Sequence, residues 1–487
     1  MQDKSQKKPK NEISFSELRD DFVLCRGPEN SPNFIFFQQD YIEKVRKFLE
    51  LSKNPNETVE MRLKNLKTMR NIQFDKSFLF THGFDILKSL FVFLVDTSLG
   101  LDTRVVIENM EYLSVLVTKL PNTFFKEILT HFRDKFLKII SKPINDINVY
   151  NQCINVIGVI ARISKENARY LFPDFFSFVS FGIKENVMDI QREKLIGGYD
   201  YSFRSVRSFT LHLCECNFNF NNWKSLLIKI SKFISSSSLI QNEDEPVNVP
   251  ELSDAIYIFV DVIQDCLPGT INIIKETHIF NILPAFLISS NIEITRAAIL
   301  LITYSFDNGI EFVNEMELGF TFEQLTRFLR HHDSIIRVEA ARCLICIFSN
   351  QSSQMNNFKI DVIEGTITSG LYSNNLSFPE VINFVHLLLI IIEKYPSSEI
   401  YHFDISKFVE YGLDSLEKDN DELSYYILQS FIYMYIHLRN INGLDFFLPQ
   451  FQVLNGLEII SSFSSNEIRE LQELSFKLYN EIIKDLK

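Results

Sequence analysis

The sequence predicts an all-α fold, an α-α superhelix of stacked helix pairs. Three observations carry that expectation. Glycine and proline number only 15 and 14 in 487 residues, while phenylalanine alone reaches 46. Turn-forming residues are therefore too scarce for an all-β chain. Beyond about residue 30 the apolar residues follow helical spacing almost throughout, with little strand-like alternation and no alternating β/α order. Finally, the second half of the chain repeats itself.

In chain order, residues 1–30 read as a flexible N-terminal tail, carrying Lys4, Lys7, Lys8, Pro9 and Lys10 and then Gly27 and Pro28. Residues 31–487 read as one helical repeat array of roughly nine or ten helix pairs, judged from the repeat length. In the first half the repeat is loose. A helix starting after Asp102 presents Val106, Met110 and Ser114, with Leu113 and Val117 beside them, and one starting after Asn145 presents Val149, Cys153 and Ile157. Gly197 and Gly198 mark a loop or hinge. Residues 235–250, with four serines, the acids Glu243, Asp244 and Glu245 and two prolines, read as a long surface loop.

The second half repeats clearly. Leu283 and Leu287 recur 42 residues later as Leu325 and Leu329, then as Ile367 and Leu371, then as Val409 and Leu413. A new helix starts after each of these pairs. Ser290 with Glu293, Ser377 with Glu380 and Asp419 with Glu422 have capping-box spacing, in which the first side chain takes a free backbone N–H and the acid reaches back. Pro379 falls in the first turn, where its missing N–H costs little. Counting from these starts, and from His332 in the second unit, the positions +4, +8 and +12 are Ile294, Ala298, Ile302; Ile336, Ala340, Leu344; Val381, Val385, Leu389; and Leu423, Ile427, Phe431. All are apolar and share one helix face, a ridge that must pack on neighbouring helices. A single helix pair cannot bury such a ridge, whereas a stack of pairs can.

Gly319, Leu325, Phe328 and Leu329, followed by Asp333 and the pair Ala340 and Ala341, resemble an armadillo repeat. Gly83, Leu87 and Leu90 are a fainter echo. The step from Gly319 to Leu325 is one residue longer than usual in that family and most other units lack the glycine, so a HEAT-like variant of the armadillo-type fold stays open. The resemblance implies a right-handed solenoid whose last helix in each unit lines a concave groove, and a binding scaffold as its role. The nuclear-import adaptors of the family use repeated Trp and Asn in that groove. Here the single tryptophan, Trp223, lies outside any such pattern, which disfavours a nuclear-transport-like adaptor.

Composition narrows the function classes. The formal charge is −13, from 49 basic and 62 acidic residues. That balance argues against nucleic acid as the main partner and favours a basic or neutral protein. No apolar run reaches the roughly 20 residues of a membrane span, and no apolar core follows the basic start. A cytoplasmic protein is the expectation, with Lys7, Lys8, Pro9 and Lys10 leaving the nucleus open. The seven cysteines are odd in number and imply no disulfide framework. Cys343 and Cys346, near His331 and His332, have spacing that zinc can use, but they flank the ridge residue Leu344 and read as core. Cys214 and Cys216 fit no common metal motif. No Walker loop, dinucleotide glycine fingerprint, H-E-x-x-H or G-x-S-x-G occurs. The sequence thus predicts no enzyme, metal or cofactor. Tyr199, Tyr201, Phe203, Arg204, Arg207 and Phe209 interleave basic and aromatic residues and read as a solvated helix edge, with a phosphate or acidic-peptide grip as the alternative.

With the ridge turned inward, positions +6 and +10 project elsewhere. They offer Asn151 and Asn155, Arg296, Arg342, Asn383, and Tyr425 with Gln429 as candidate partner-binding residues. Amides both donate and accept, so a row of them can hold an extended peptide backbone, while Arg adds charge and Tyr area. The function expected is a non-enzymatic scaffold that binds protein or peptide segments. The alternative is an adaptor or regulatory subunit of a larger complex.

Overall fold

A computed structural model describes residues 42–50, 57–72, 74, 76–95, 102–120, 124, 147–172, 202–212, 220–240, 250–265, 270–308, 318–350, 360–373, 375–394, 404–418 and 420–486. Every regular element among them is helical. The 1–30 tail, Gly197, Gly198, Tyr199, Tyr201, Cys214 and Cys216 lie outside the described residues. The chain divides into two compact units, Met1–Pro121 and Asn122–Lys487.

The first unit contains α1 (Val59–Arg70), α2 (Lys76–Val95) and α3 (Thr103–Val117). Thr58 caps α1 by accepting from Met61 N–H, and Asp102 caps α3 by accepting from Arg104 N–H at 2.9 Å. Both α1 and α2 pack on α3. The expected α3 face holds: Val106, Met110, Leu113 and Val117 are buried, with Ser114 half-buried at the edge.

The second unit is a stack in two layers. One layer is a ladder of helices, each packed on the next: α4 (Ile147–Ile163), α5 (Ser202–Thr210), α7 (Pro250–Asp265), α10 (Ile292–Asp307), α12 (Ser334–Asn350), α14 (Phe378–Lys394), α16 (Asp421–Asn440) and α19 (Arg469–Leu486). The other layer is formed by the intervening helices α6 (Phe220–Ile240), α8 (Thr270–Thr277), α9 (Leu283–Leu287), α11 (Leu318–Phe328), α13 (Ile360–Tyr372), α15 (Ile405–Leu416), α17 (Leu448–Val453) and α18 (Gly456–Ser462). From α9 onward, α9, α11, α13, α15 and α18 each lie against the ladder helix that follows. The repeating ridge is what the two layers share. Of its twelve positions only Val381 is half-buried and the rest are buried. Each large aliphatic side chain so placed contributes about 1.5–3 kcal/mol relative to exposure.

The helix starts differ in detail from the predicted ones. Ser377 and Glu380 form half of the predicted capping box: Ser377 N–H donates to the Glu380 carboxylate at 2.7 Å, but Ser377 Oγ also donates to that carboxylate, and Glu380 N–H bonds to Ser377 O at 3.0 Å instead of to the serine side chain. At α10 the cap is Asn291, not Ser290, and its amide oxygen accepts from Glu293 N–H at 3.0 Å. At α16 the cap is Asn420, which accepts from Leu423 N–H at 2.8 Å, while Asp419 lies outside the described residues. At α12 Asp333 takes Ile335 N–H at 2.8 Å, one residue after His332. Asparagine and aspartate compete well for the free N–H groups, and the chain uses the one nearest the first turn.

The serine-rich stretch behaves differently from the expected 235–250 loop. Ser235 to Ile240 complete α6, and Pro250 opens α7. The physical reason is that serine hydroxyls can bond back along a helix: Ser235 Oγ donates to Ser231 O and Ser236 Oγ to Phe233 O. Residues 241–249 lie outside the described residues. The α4–α5 crossing is very close at Gly158, where an added Cβ would stand 2.9 Å from the Ser205 Cα. Among the described residues no helix is long and apolar enough to cross a membrane.

Candidate functional site

The ladder helices of the second unit are covered on one side by the other layer and on both flanks by neighbouring ladder helices. Along the crossings runs a row of polar and aromatic residues that range from buried, as Glu339 and Glu380, through half-buried, as His386 and Tyr433, to exposed, as Arg342 and Arg439. These side chains bond from rung to rung. Between α5 and α7, Arg207 pairs with Asp254 at 3.2 Å and lies 3.8 Å over the Tyr257 ring. Between α7 and α10, Tyr257 Oη donates to Glu293 at 3.4 Å. Between α10 and α12, Arg296 reaches Glu339 at 3.8 Å. Between α12 and α14, Arg337 Nε donates to Glu380, and Arg342 Nε donates to Asn383 Oδ1 at 3.3 Å. Between α14 and α16, His386 stacks on Tyr426 at 4.2 Å and Tyr433 Oη approaches Glu393 at 3.5 Å. Between α16 and α19, Arg439 pairs with Glu481 at 3.0 Å and Asp485 at 3.2 Å.

Burial sets the electrostatics of this row. Burial pushes the Glu339 carboxyl above its usual range, with Arg342 and Arg296 pulling the other way. Tyr304, beside Glu339, is raised by burial first and by that carboxylate second. His386 is lowered by burial, which keeps its ring neutral near pH 7. Glu380 is the opposite case. Burial raises it, but hydrogen bonds from Arg337 and Ser377 outweigh that and hold it below the ordinary carboxylate value.

The predicted partner-binding residues are spread along this ladder. Asn151 and Asn155 lie on α4, the first buried and the second half-buried. Arg296 is half-buried on α10, and Arg342 is exposed on α12. Asn383 is buried on α14, where its amide donates to Pro379 O at 2.7 Å and accepts from Arg342. Tyr425 and Gln429 are half-buried on α16 and joined by a 2.7 Å bond from Gln429 Nε2 to Tyr425 Oη. Burial leaves Asn151 and Asn383 little surface to offer a partner. The structure brings Arg342 to Asn383 and Tyr425 to Gln429, while Arg296 turns to Glu339. The structure also adds Tyr304, Glu339, His386, Glu393, Tyr426 and Tyr433 to the row. A count begun at the true cap Asn420 would have found Tyr426 at +6.

The other candidates sit as follows. Phe203 and Phe209 are buried, Arg204 is exposed, and Arg207 is committed to Asp254 and Tyr257, so the two arginines do not form a shared anion grip. Cys343 is fully buried and Cys346 half-buried; burial raises both thiols, Cys346 to about 11. Trp223 is fully buried and stacks on Phe172. In the first unit, α1 and α3 flank an open groove of about 640 Å³ lined by Leu63, Lys64, Lys67, Ile107 and the carboxylates Glu60 and Glu108. Arg104 pairs with Glu60 and Arg70 with Glu108, so its carboxylates are already matched.

No protein-family model and no curated protein matches the chain. Among solved structures, the chain is similar to an engineered protein from the Northeast Structural Genomics Consortium, with a TM-score of 0.61 at 16% identity, covering 91% of this chain and 99% of the other. A second engineered protein from the same consortium covers 52% of this chain and 96% of its own, with a TM-score of 0.40 at 15% identity. The first likeness concerns the fold alone. The chain is an all-α protein whose second unit is a repeat-like stack of helices.

Proposed function

We propose that the chain is a non-enzymatic, armadillo-type scaffold that holds a segment of a protein partner along the exposed side of the second unit's ladder. The observation that carries this reading is the row of aromatic, amide and charged side chains on consecutive rungs, from half-buried Tyr304 and exposed Arg342 through His386 to Tyr425, Gln429 and Tyr433, all half-buried. Half-buried, mutually bonded side chains are already ordered, so a partner loses less entropy in binding them. The armadillo subtype draws on the buried Leu325, Leu329, Ala340 and Ala341 in one unit, where the small alanines let helices approach closely. In that family the ladder side is the concave groove. The net charge of −13 favours a basic or neutral segment.

The test is affinity purification from native lysate with quantitative mass spectrometry, comparing wild type with an Arg342→Glu, Tyr425→Ala, Gln429→Ala variant. Asn383 is left intact because it is buried. A stoichiometric partner that the folded variant loses supports the reading; partners that persist unchanged place binding elsewhere. A second reading, an adaptor or regulatory subunit, draws on the apolar side chains exposed on the last elements: Phe446 at 53%, Val453 at 77% and Phe476 at 67%. A subunit of that kind would co-purify through these residues and ignore the ladder variant.

A further inference from the structure

Most crossings of the ladder close on a cation. Arg207 meets Asp254, Arg296 meets Glu339, Arg337 meets Glu380 and Arg439 meets Glu481. The crossing of α14 and α16 is built differently. On α16, Glu422, Tyr425, Tyr426 and Tyr433 share one stripe, since they fall at i, i+3, i+4 and i+11. On α14, His386 and Glu393 lie opposite, His386 stacked on Tyr426 and Glu393 reached by Tyr433 Oη. Glu422 stands beside Tyr426, whose hydroxyl is raised by burial and then by that carboxylate. Among the described residues no lysine or arginine lies within ion-pair distance of Glu393 or Glu422. The tyrosines, His386 and Glu393 are half-buried and Glu422 is exposed, and among the described residues the two carboxylates meet tyrosine hydroxyls and no cation.

The chain shows elsewhere what such a surface holds. Arg207 lies 3.8 Å over the Tyr257 ring and is anchored at its edge by Asp254. A guanidinium stacks flat on an aromatic face while its edge donates to a carboxylate, which an ammonium cannot do in the same geometry. The α14–α16 crossing repeats the tyrosine and the carboxylate, and among the described residues no cation lies within ion-pair distance of that carboxylate. We infer that this aromatic and acidic face takes an arginine side chain from an extended segment of a protein partner. The inference rests on the reading that the ladder side binds protein segments, and it names the chemistry of the segment. Charge complementarity selects the occupant: Glu422, beside Tyr426, and Glu393, beside Tyr433, lie about 16 Å apart along the stripe, so a basic side chain satisfies one of them at a time, and the tyrosine rings favour its planar form.

The experiment is fluorescence anisotropy of the full chain with four labelled octapeptides, in which serine alternates with arginine, lysine, glutamine or glutamate. At low salt the arginine peptide should bind about tenfold more tightly than the glutamine peptide, with lysine between them. The Glu393→Gln, Glu422→Gln variant should weaken the arginine and lysine peptides about fivefold or more alike. The Tyr426→Leu, Tyr433→Leu variant should weaken arginine more than lysine. The carboxylate variant is nearly isosteric and its melting curve serves as the folding control, so a failure of the tyrosine variant to fold leaves the test standing. An arginine peptide no tighter than glutamine, or one indifferent to the carboxylate variant, overturns the assignment. The two readings fail separately. Should the lysate partner be lost with the ladder variant while the arginine peptide ignores the carboxylates, the ladder reading stands and arginine recognition falls. Should the partner persist while the peptide responds, the arginine site stands without the broader ladder.

Discussion

Glu380 ties two repeats together, and removing it should unfasten them. Its side chain is 1% exposed. It receives Arg337 Nε from the preceding rung and both donors of Ser377, its own capping partner. Arg337 in turn donates to the carbonyls of His331 and His332, closing the loop that enters α12. Breaking a fully buried ion pair by deleting one partner costs about 3–5 kcal/mol. Arg337 is 18% exposed, so water can partly rescue it, and the expected cost of Glu380→Ala is about 2 kcal/mol. The loss should be local first: amide exchange at the starts of α12 and α14 should accelerate before global unfolding changes. Urea unfolding of wild type, Arg337→Ala, Glu380→Ala and the double variant gives the coupling. A coupling below about 0.5 kcal/mol would refute the reasoning. The pH dependence has a fixed sign. The folded Glu380 value lies below its ordinary one, so its stabilisation is present above about pH 4.3 and is lost as pH falls through the folded value. The gap between wild type and Glu380→Gln should therefore close in acid, and a gap that widens there would contradict the assignment.

Three further outcomes follow from the packing. Gly158→Ala places a Cβ 2.5 Å from Ser205 Oγ and 2.9 Å from its Cα. Because backbone cannot rotate away, the variant should lose about 1–3 kcal/mol by overpacking despite alanine's better helix propensity, and a raised urea midpoint would count against it. Asn442 holds a left-handed φ of 56° at the end of α16, where Gly443 N–H returns to Leu438 O at 2.7 Å and Asn442 N–H to Arg439 O. Asn442→Ala should cost about 1 kcal/mol and Asn442→Gly none, read by thermal melts; equal losses would disprove the conformational cause. Peptide-resolved alkylation at pH 8 should leave Cys153 and Cys343 unlabelled in the native protein and label Cys346 slowly, because burial pushes its thiol to about 11. Rapid labelling of Cys343 would show that α12 opens.

The sequence disclosed the ridge and hid the row beside it. Ile336, Ala340 and Leu344 are legible because burial demands apolar side chains at fixed helical spacing, and an error of one residue in the start still leaves them on one face. The candidate site has no such tolerance. Position +6 lies about 200° from +4, so shifting a start from Asp419 to Asn420 exchanges Tyr425 for Tyr426. Tertiary partners were equally invisible: nothing local in Arg207 shows that Asp254 and Tyr257 will claim it, and nothing in Asn383 shows that Arg342 and the Pro379 carbonyl will bury it. The serines before Ile240 misled for a related reason, since a residue that favours turns can also bond to its own helix.

The ladder imposes a tension between holding rungs together and receiving a partner. A side chain that bonds to the next rung fixes the stack but has spent its donors, as Arg337 and Asn383 have. An exposed side chain that bonds only within its own helix stays within a partner's reach but adds nothing between rungs, as with Glu422 beside Tyr426. The crossing of α14 and α16 reconciles the two with rings: His386 on Tyr426 supplies rung-to-rung packing through ring faces, while among the described residues no cation lies within ion-pair distance of Glu422 or Glu393 on the same crossing. Aromatic stacking needs no charge neutralisation, so this crossing can be rigid and electrostatically unfinished at once. That combination separates it from the arginine-closed crossings on either side, and it is why substitutions there should alter binding with less loss of stability than Glu380→Ala.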